Sequence, residues 1–338
     1  MIEAPDISKI PNLEKLVLKD CINLLDLHPS IGVHKKLTLL NLKGCKNLRS
    51  ISSKFEMESL EILILSDCSK VKRIPEFGEN MEHVVKLNLD GTAITKLPTS
   101  IGNLTGLASL SVRDCKNLIS LPSTFFNMKS LENFNLSGCS KLFEVLENFR
   151  TNAPFQTLKK LVSVGFKARS PGPMSLLSTS LLGLCSLTNL DLSYCNLNVI
   201  PDDVCCLFSL KILNISGNHF GCLPEGIAQL YNLRRLCVEN CKNLRSLPKP
   251  PRNICNIWGY DCTSLETVPD LLKLNSLGWS ALLLSNCSKL ADKKGFIDMF
   301  FAVIRKHLQV SLSLSFSLSL SLSLNSKQHA WYVSGTLS

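Results

Sequence analysis

The chain has 338 residues, a hydrophobic content of 45 % and a formal net charge of +10 at pH 7. Its Lys and Arg residues occur in no run longer than two and beside no nucleic-acid-binding motif, so the positive charge does not indicate a nucleic-acid partner. No stretch is long and apolar enough to cross a membrane, and the first residues lack an apolar signal segment. We therefore expect neither nucleic acid nor membrane as a partner, and a location in the cytoplasm, with the nucleus as a second compartment.

An apolar pattern, L-x-x-L-x-L-x-x-C-x-x-L, recurs along the chain at steps of 21 to 29 residues. Its twelve units begin at Leu13, Leu37, Leu60, Val84, Leu107, Leu131, Leu158, Leu187, Leu210, Leu233, Ile254 and Trp279. A period in the twenties with this internal pattern predicts a leucine-rich-repeat solenoid. The expected fold class is α/β, a horseshoe with a parallel β-sheet on the concave face and short helical or 3₁₀ turns on the convex face.

Within each unit, the L-x-L step at positions four to six predicts a short strand whose two apolar residues point inward. Stacked units cover one another and form one continuous core. Seven units close with an aliphatic residue and Pro, as in Leu97-Pro98 and Leu223-Pro224. Proline has no N–H group and a fixed φ, so it ends the strand and begins the convex segment.

Cysteine occupies the ninth position in nine of the twelve units, where a small side chain with some hydrogen-bonding capacity is suitable. The total of fifteen cysteines is odd, and no C-x-x-C pair occurs. This pattern predicts reduced thiols in a reducing compartment rather than disulfides. The spacing also does not bring four ligands together, so we expect no metal and no cofactor.

The domain organisation follows the limits of the repeat pattern. Residues 1–292 are predicted to form the solenoid of about twelve repeats, with a loosened region and an insertion at 143–186. Residues 293–310 carry apolar side chains at helical spacing, which predicts a C-terminal capping helix. Residues 311–338 begin with an alternation of Ser and Leu that is strict up to Leu324 apart from Phe316, and we expect a disordered low-complexity tail.

The third, fifth and seventh positions of each unit are expected to face the concave solvent side. The candidate protein-binding residues at these positions are Lys15, Lys43, Lys86, Arg113, Asp191, Arg235, Glu239, Trp258 and Tyr260. Aromatic and Arg side chains are the usual energetic anchors of interfaces, so the cluster around Trp258 and Tyr260 is the strongest candidate. Alternatively, Trp258 packs in the core of a short repeat. The basic residues near the N-terminus either face an acidic partner or form a solvated surface.

Three segments resemble a particular repeat family. These are residues 4–21 (APDISKIPNLEKLVLKDC), 27–32 (LHPSIG) and 40–48 (LNLKGCKNL), and residues 286–290 (NCSKL) are similar to the final repeat of the same family. They resemble the repeat region of plant intracellular immune receptors of the TIR-NB-LRR disease-resistance class. The resemblance covers roughly residues 1–310 and implies a non-catalytic protein-recognition module that senses an effector or a guarded protein and takes part in autoinhibition.

The other parts of such receptors are missing from this sequence. It contains no G-x-x-x-x-G-K-[ST] phosphate loop and no TIR region, so a truncated family member is expected. Implied partners are a pathogen effector, a guarded host protein or the receptor's nucleotide-binding domain. The alternative function is the substrate-binding repeat array of an F-box-type ubiquitin ligase. An enzymatic function has no residue support, because no nucleophile–base pair or metal set emerges. The chain alone is expected to be poorly soluble, because an uncapped solenoid end exposes apolar surface.

Overall fold

The computed structural model describes residues 4–49, 51–144, 183–269 and 281–291, together with short strands at 317–319, 323–325 and 328–336. The chain divides into two compact units, Met1–Leu187 and Thr188–Ser338. Each unit is a stack of leucine-rich repeats, as the sequence predicts. In each repeat, a short strand is followed by a tight turn and a return segment.

The first unit contains a parallel sheet with one strand per repeat. Its strands are β1 (Lys15–Val17), β2 (Leu39–Asn41), β3 (Lys54–Phe55), β4 (Ile62–Ile64), β5 (Glu76–Phe77), β6 (Lys86–Asn88), β7 (Ser109–Ser111) and β8 (Asn133–Asn135). Strands β1, β2, β4, β6, β7 and β8 pair in this order, all in parallel. Equivalent residues meet on neighbouring strands, as Leu40 does with Leu63. The predicted parallel sheet is therefore confirmed.

The middle residue of each strand points into the core. Leu40 and Leu63 are completely buried, and Leu87 and Leu110 are 1 % exposed. The flanking strand residues are half-buried or exposed on the opposite face. Because a buried Leu stabilises a fold by roughly 1.5–3 kcal/mol, the repeated leucines stabilise strands that are too short to persist alone.

The residue at the eighth position turns the chain out of the sheet. In every described repeat it has a positive φ, between 55° and 75°. These residues are Asp20, Gly44, Asp67, Gly91, Asp114, Gly138, Tyr194, Gly217, Asn240, Asp261 and Asn286. Their N–H groups donate to the next repeat, as Asp20 N does to Lys43 O at 2.7 Å. Gly, Asn and Asp tolerate this backbone region best, which explains every residue type found here except Tyr194.

The cysteine at the ninth position ties each repeat to the one before it. The Cys45 thiol donates to the Leu18 carbonyl at 3.0 Å, and the Cys68 thiol donates to the Leu42 carbonyl at 3.1 Å. Both side chains are completely buried. The small, hydrogen-bonding side chain expected at this position therefore donates to a carbonyl group just beyond the strand of the preceding repeat.

The return segments include 3₁₀ turns at Pro29–Val33, Thr99–Asn103, Ser123–Asn127, Asp202–Cys206 and Glu225–Gln229. Proline occupies the N-cap of the last four, as the aliphatic-Pro pattern predicts. Two repeats differ, because β3 and β5 form a separate parallel pair. Phe77 lies two residues after Pro75, whereas the apolar residue of the proline-capped 3₁₀ turns lies three residues after the proline. A spacing of two is that of a strand. The centroids of the Phe77 and Phe55 rings are 6.5 Å apart in an edge-on arrangement.

The second unit continues the same plan. Its strands are β9 (Asn189–Asp191), β10 (Ile212–Asn214), β11 (Arg235–Cys237), β12 (Asn256–Trp258), β13 (Ala281–Ser285), β14 (Ser317–Ser319), β15 (Ser323–Asn325) and β16 (Gln328–Thr336). Strands β9 to β13 pair in parallel, and Leu213 lies between Leu190 and Leu236. Strand β16 then pairs antiparallel with β13, β14 and β15.

Several expected boundaries stay predictions. The capping helix at 293–310 and most of the insertion at 143–186 lie outside the described residues. Within 311–338, the structure has strands β14 to β16 where the sequence predicts a disordered tail. Alternating Ser and Leu has the period of a strand, as in β14 and β15. The edge of β13 offers backbone groups to β16, and β16 in turn pairs with β14 and β15.

The first repeat is less covered than its neighbours. Leu13, Leu16 and Leu18 are half-buried, whereas Leu37, Leu40 and Leu42 of the second repeat are completely buried. The segment before the first strand covers part of the repeat, because Ile7 is only 2 % exposed and its N–H group donates to Ser30 Oγ. The expected poor solubility of the isolated chain stays a prediction.

Candidate functional site

The outward face of the first unit's strands carries the basic candidates Lys15, Lys43, Lys86 and Arg113, all exposed. Lys15 and Lys86 occupy the same strand position, but Leu39 and Ile62 lie between them on β2 and β4. With strands about 4.8 Å apart, the two ammonium groups are not neighbours. The predicted cations therefore do not form one basic patch.

Arg113 is held by carboxylates of its own chain. Its Nε lies 4.0 Å from Asp90 Oδ2 and 3.8 Å from Asp114 Oδ2. Asp90 Oδ1 also accepts the Arg113 N–H at 2.8 Å and the Ser111 hydroxyl at 2.5 Å. Because exposed ion pairs of this kind contribute roughly 0–1 kcal/mol, the Arg113 side chain can be redirected to another carboxylate at little cost.

An apolar patch, defined as Val17, Leu39, Ile62 and Ile64, lies among these cations on the outward face. Val17 is 54 % exposed, and the other three are half-buried. Leu39 meets Ile62 directly across β2 and β4. The sequence analysis did not name Ile62 and Ile64 as candidates. They could have been found, because Ile62-Leu63-Ile64 has an apolar residue at both outward positions of its strand.

In the second unit, Arg235 and Trp258 come together on the outward face. The Arg235 guanidinium carbon lies 4.6 Å from the centroid of a Trp258 ring. Both side chains are half-buried, and the inward residue of β12 is Ile257, 2 % exposed. The alternative that Trp258 packs in the core is therefore wrong. A cation over an indole face is attracted by the ring quadrupole, by about 0.5–2 kcal/mol.

The stack leaves part of the Arg235 side chain without a hydrogen bond. Its Nε is buried and has no hydrogen-bond partner among the described residues. The described residues also place no carboxylate within ion-pair distance of its guanidinium. Stacking on Trp258 therefore orients a guanidinium that retains its capacity to bind a carboxylate.

The acidic candidates flank this stack in different ways. Asp191 is tied within the face, since its carboxylate accepts from the Ser193 hydroxyl at 2.6 Å and from Asn214 Nδ2 at 3.1 Å. Burial, followed by the nearby charge of Asp261, raises the pKa of Glu239. Tyr260 is half-buried in the next repeat, and its carbonyl accepts from Asn240 N at 2.7 Å. The structure thus places Glu239 and Tyr260 in neighbouring repeats, as the sequence predicts.

Cys237 lies between Asn214 and Trp258 on the same face, yet it is only 6 % exposed. Burial, with the charge of Glu239 as a second cause, raises the pKa of its thiol to about 12. A thiol that stays protonated at neutral pH is a poor nucleophile. Cys237 is therefore a packing residue at the base of the Arg235–Trp258 stack.

The cysteines of the chain form no disulfide and no metal-binding cluster among the described residues. Burial raises the pKa of Cys68 to about 12 and of Cys241 to about 11. In the described part of the chain, no group of three or more His, Cys, Asp or Glu side chains is placed to hold a metal ion. No helix among the described residues could span a membrane.

The repeats match a known family of proteins. The family model described as "Disease resistance protein RPS4B-like, leucine-rich repeats" matches residues 55–276, more than half of the chain. The chain belongs to this family. Of the two functional classes that the sequence left open, the match favours the disease-resistance class over the F-box-type array. Leucine-rich repeats of this family are interaction repeats and are generally not catalytic.

Two curated relatives agree with the family match. TMV resistance protein N of Nicotiana glutinosa is 34 % identical over 282 residues, which is 78 % of this chain and 24 % of the relative. Disease resistance-like protein DSC1 of Arabidopsis thaliana is 41 % identical over 112 residues, which is 32 % of this chain and 9 % of the relative. The chain thus spans about a quarter or less of the length of these relatives.

Similarity to the solved structures is weaker than similarity to these relatives. The leucine-rich repeat domain of the type III effector XCV3220 (XopL) has a TM-score of 0.38 and 18 % identity, and the match covers 77 % of this chain and 73 % of that domain.

Proposed function

We propose that this chain is the ligand-recognition array of a plant intracellular immune receptor and acts by binding rather than by catalysis. The Arg235–Trp258 stack, with its guanidinium 4.6 Å from the indole, is the observation that carries the proposal. Arg and Trp are the residue types most enriched at interface hot spots. The core is built by the inward residues of the same strands, so burial of the core does not account for this pair.

The ligand of this surface is a protein. A half-buried indole offers a large apolar contact, and the adjoining guanidinium offers donors to a carboxylate. Three classes of partner fit the proposal, namely a pathogen effector, a guarded host protein and the nucleotide-binding domain of the receptor, whose contact would serve autoinhibition. The proposed location is the cytoplasm, with the nucleus as a second compartment, and no metal or cofactor takes part.

The proposal is tested by co-expression in leaves of the full chain with members of these three classes, followed by co-immunoprecipitation and a titration of each captured partner. Arg235→Ala and Trp258→Ala are each expected to weaken binding about 30-fold, which corresponds to a hot-spot loss of about 2 kcal/mol. Lys242→Ala and Arg245→Ala are the matched controls, because both side chains are exposed outside the strands. They are expected to change the affinity less than about twofold.

Two outcomes contradict the proposal. In the first, no member of the three classes binds the chain. In the second, a partner binds, but its affinity is unchanged by Arg235→Ala and Trp258→Ala and is lost in the controls. That result would show that the ligand binds outside the outward face of the strands.

A further inference from the structure

An exposed strip of aromatic and cationic side chains lies at the entry to the strands of the second unit. We define this aromatic–basic strip as Phe208, Lys211, Tyr231, Arg234 and Arg252, all exposed. Phe208 and Tyr231 take the same position in successive repeats, two residues before the first leucine, and expose 52 % and 57 % of their surface. Arg252 takes that position in the next repeat. The strip lies outside the outward face that carries the Arg235–Trp258 stack.

Backbone and Asn hydrogen bonds hold the strip at the spacing of the repeats. Arg234 N donates to Lys211 O at 2.8 Å, so these two cations lie side by side in neighbouring repeats, each just before its strand. Asn232 Nδ2 donates to Phe208 O at 2.8 Å, and Asn253 Nδ2 donates to Tyr231 O at the same distance. The side chains are therefore presented at a regular interval of about 4.8 Å per repeat.

The charges of the strip are not balanced within the described residues. Like charges close together on neighbouring repeats repel each other, and Lys211 and Arg234 occupy equivalent positions just before β10 and β11. The strip contains no Asp or Glu, and the described residues form no ion pair with Lys211, Arg234 or Arg252. Arg234 Nη1 donates to Asn253 O at 3.4 Å and to Cys255 Sγ at 4.0 Å. Both hydrogen bonds are long, and they leave the positive charge of Arg234 unneutralised.

The first unit fills the position of Phe208, Tyr231 and Arg252 with two residues of opposite charge. Two residues before the first apolar residue of each repeat, it places Lys35 and Glu58 in successive repeats. These two side chains form an ion pair at 3.2 Å. The repeat geometry therefore permits charge balance at this edge, and the unbalanced strip is a property of the side chains in the second unit.

We propose that the aromatic–basic strip docks an acidic segment of a second protein. Carboxylates of that segment bind Lys211, Arg234 and Arg252, and an apolar side chain of the segment lies between Phe208 and Tyr231. Arg and aromatic residues are the side-chain types enriched at interfaces. Charge complementarity favours an acidic partner, because all three charges of the strip have the same sign. This contact goes beyond the proposed function, since it uses a different surface.

The size of the strip favours a protein over a nucleic acid. Three cations spread over two repeat spacings, about 10 Å, cover a short stretch of surface. A nucleic-acid site of ordinary affinity neutralises about 6–10 phosphates along the backbone. The two exposed rings add apolar area that suits Leu or Phe side chains.

The test measures binding of the full chain to a fluorescein-labelled peptide that alternates Glu with Leu and Phe, by fluorescence anisotropy. The same peptide with Gln in place of Glu is the second probe. Triple substitution K211E/R234E/R252E is expected to weaken binding of the Glu peptide more than about tenfold, because it reverses every charge of the strip. Double substitution F208S/Y231S is expected to weaken it about fivefold or more through loss of apolar contact.

The matched control is K242E/R245E/K249E, which changes the net charge equally at exposed positions of the same unit. It is expected to alter binding less than about twofold, and thermal melts verify that every variant is folded. Any of three results would overturn the proposal: equal loss of binding in the control, absence of binding by the folded parent chain, or tighter binding of a DNA oligonucleotide of matched charge through the strip.

Discussion

At the scale of single residues, the eighth position of the repeat constrains its occupant in two ways. Gly44 has a φ of 75°, and a Cβ at this position would overlap the carboxylate of Asp20 in the preceding repeat. The same relation joins Asp67 to Gly91 and Asp114 to Gly138. Alternation of Asp and Gly leaves room for each carboxylate and avoids like charges on neighbouring repeats.

Gly44→Ala is therefore expected to lower the free energy of unfolding by about 1–3 kcal/mol, through backbone strain and displacement of Asp20. Urea denaturation measures the loss. The control is Gly221→Ala, whose Cβ would meet only Asn243 O at 3.9 Å, and which is expected to be neutral or slightly stabilising. The double variant D20A/G44A should recover part of the lost stability. It removes the overlap between the new Cβ at position 44 and the Asp20 carboxylate but keeps the backbone strain of Ala at positive φ. A Gly44→Ala variant as stable as the parent chain would contradict this account.

At the scale of the element, the turn after β10 depends on a completely buried Asn218 instead of the usual Cys. Its Nδ2 donates to Leu192 O at 2.9 Å and to Ile215 O at 2.8 Å. Its Oδ1 accepts from Cys195 N at 3.1 Å and from Leu197 N at 3.0 Å. One amide thus satisfies backbone groups of two successive repeats, where the thiol of Cys45 satisfies one carbonyl.

Asn218→Ala leaves these buried backbone groups unpaired and is expected to cost about 3 kcal/mol or more, because each unsatisfied group costs roughly 1–3 kcal/mol. Asn218→Cys should be intermediate, since a thiol can replace one donor only. Urea denaturation and hydrogen exchange at the Cys195 and Leu197 amides measure the effect. Asn243→Ala removes one exposed hydrogen bond, to His219 O, and serves as the control. Equal losses for Asn218→Ala and Asn243→Ala would refute the prediction.

At the scale of the whole molecule, burial divides the cysteines into classes of different reactivity. Cys185 and Cys222 are exposed, whereas the cysteines at the ninth position are buried apart from the half-buried Cys21. Burial also raises the pKa of several of these thiols, that of Cys115 to about 11, whereas a hydrogen bond with Cys262 lowers the pKa of Cys287. The thiolate is the reactive form. A buried thiol with a raised pKa therefore reacts slowly for two reasons, because reagents cannot reach it and because little of it is thiolate.

In the native chain, Ellman's reagent is therefore expected to react rapidly with Cys185 and Cys222, more slowly with half-buried thiols and hardly at all with the buried ones. Double substitution C185S/C222S should remove the rapid phase and leave the thermal melt unchanged. In denaturant without reductant, all fifteen thiols should react. A shortfall there would indicate disulfides, and rapid reaction of the buried thiols in the native chain would show that the repeats are not stacked as described.

The amino-acid sequence by itself determined the repeat, because a period in the twenties with alternating leucines can bury its apolar side only by stacking. The strands of the main parallel sheet, their inward leucines and the proline-capped 3₁₀ turns therefore follow from local pattern alone, whereas β3, β5 and β14 to β16 do not. Only the tertiary structure decided which outward side chains meet. Arg235 reaches Trp258 across neighbouring strands, while Lys15 and Lys86 stay apart. Contacts between repeats depend on register, rotamer and the exposure left by neighbouring side chains, and spacing along the chain does not specify these.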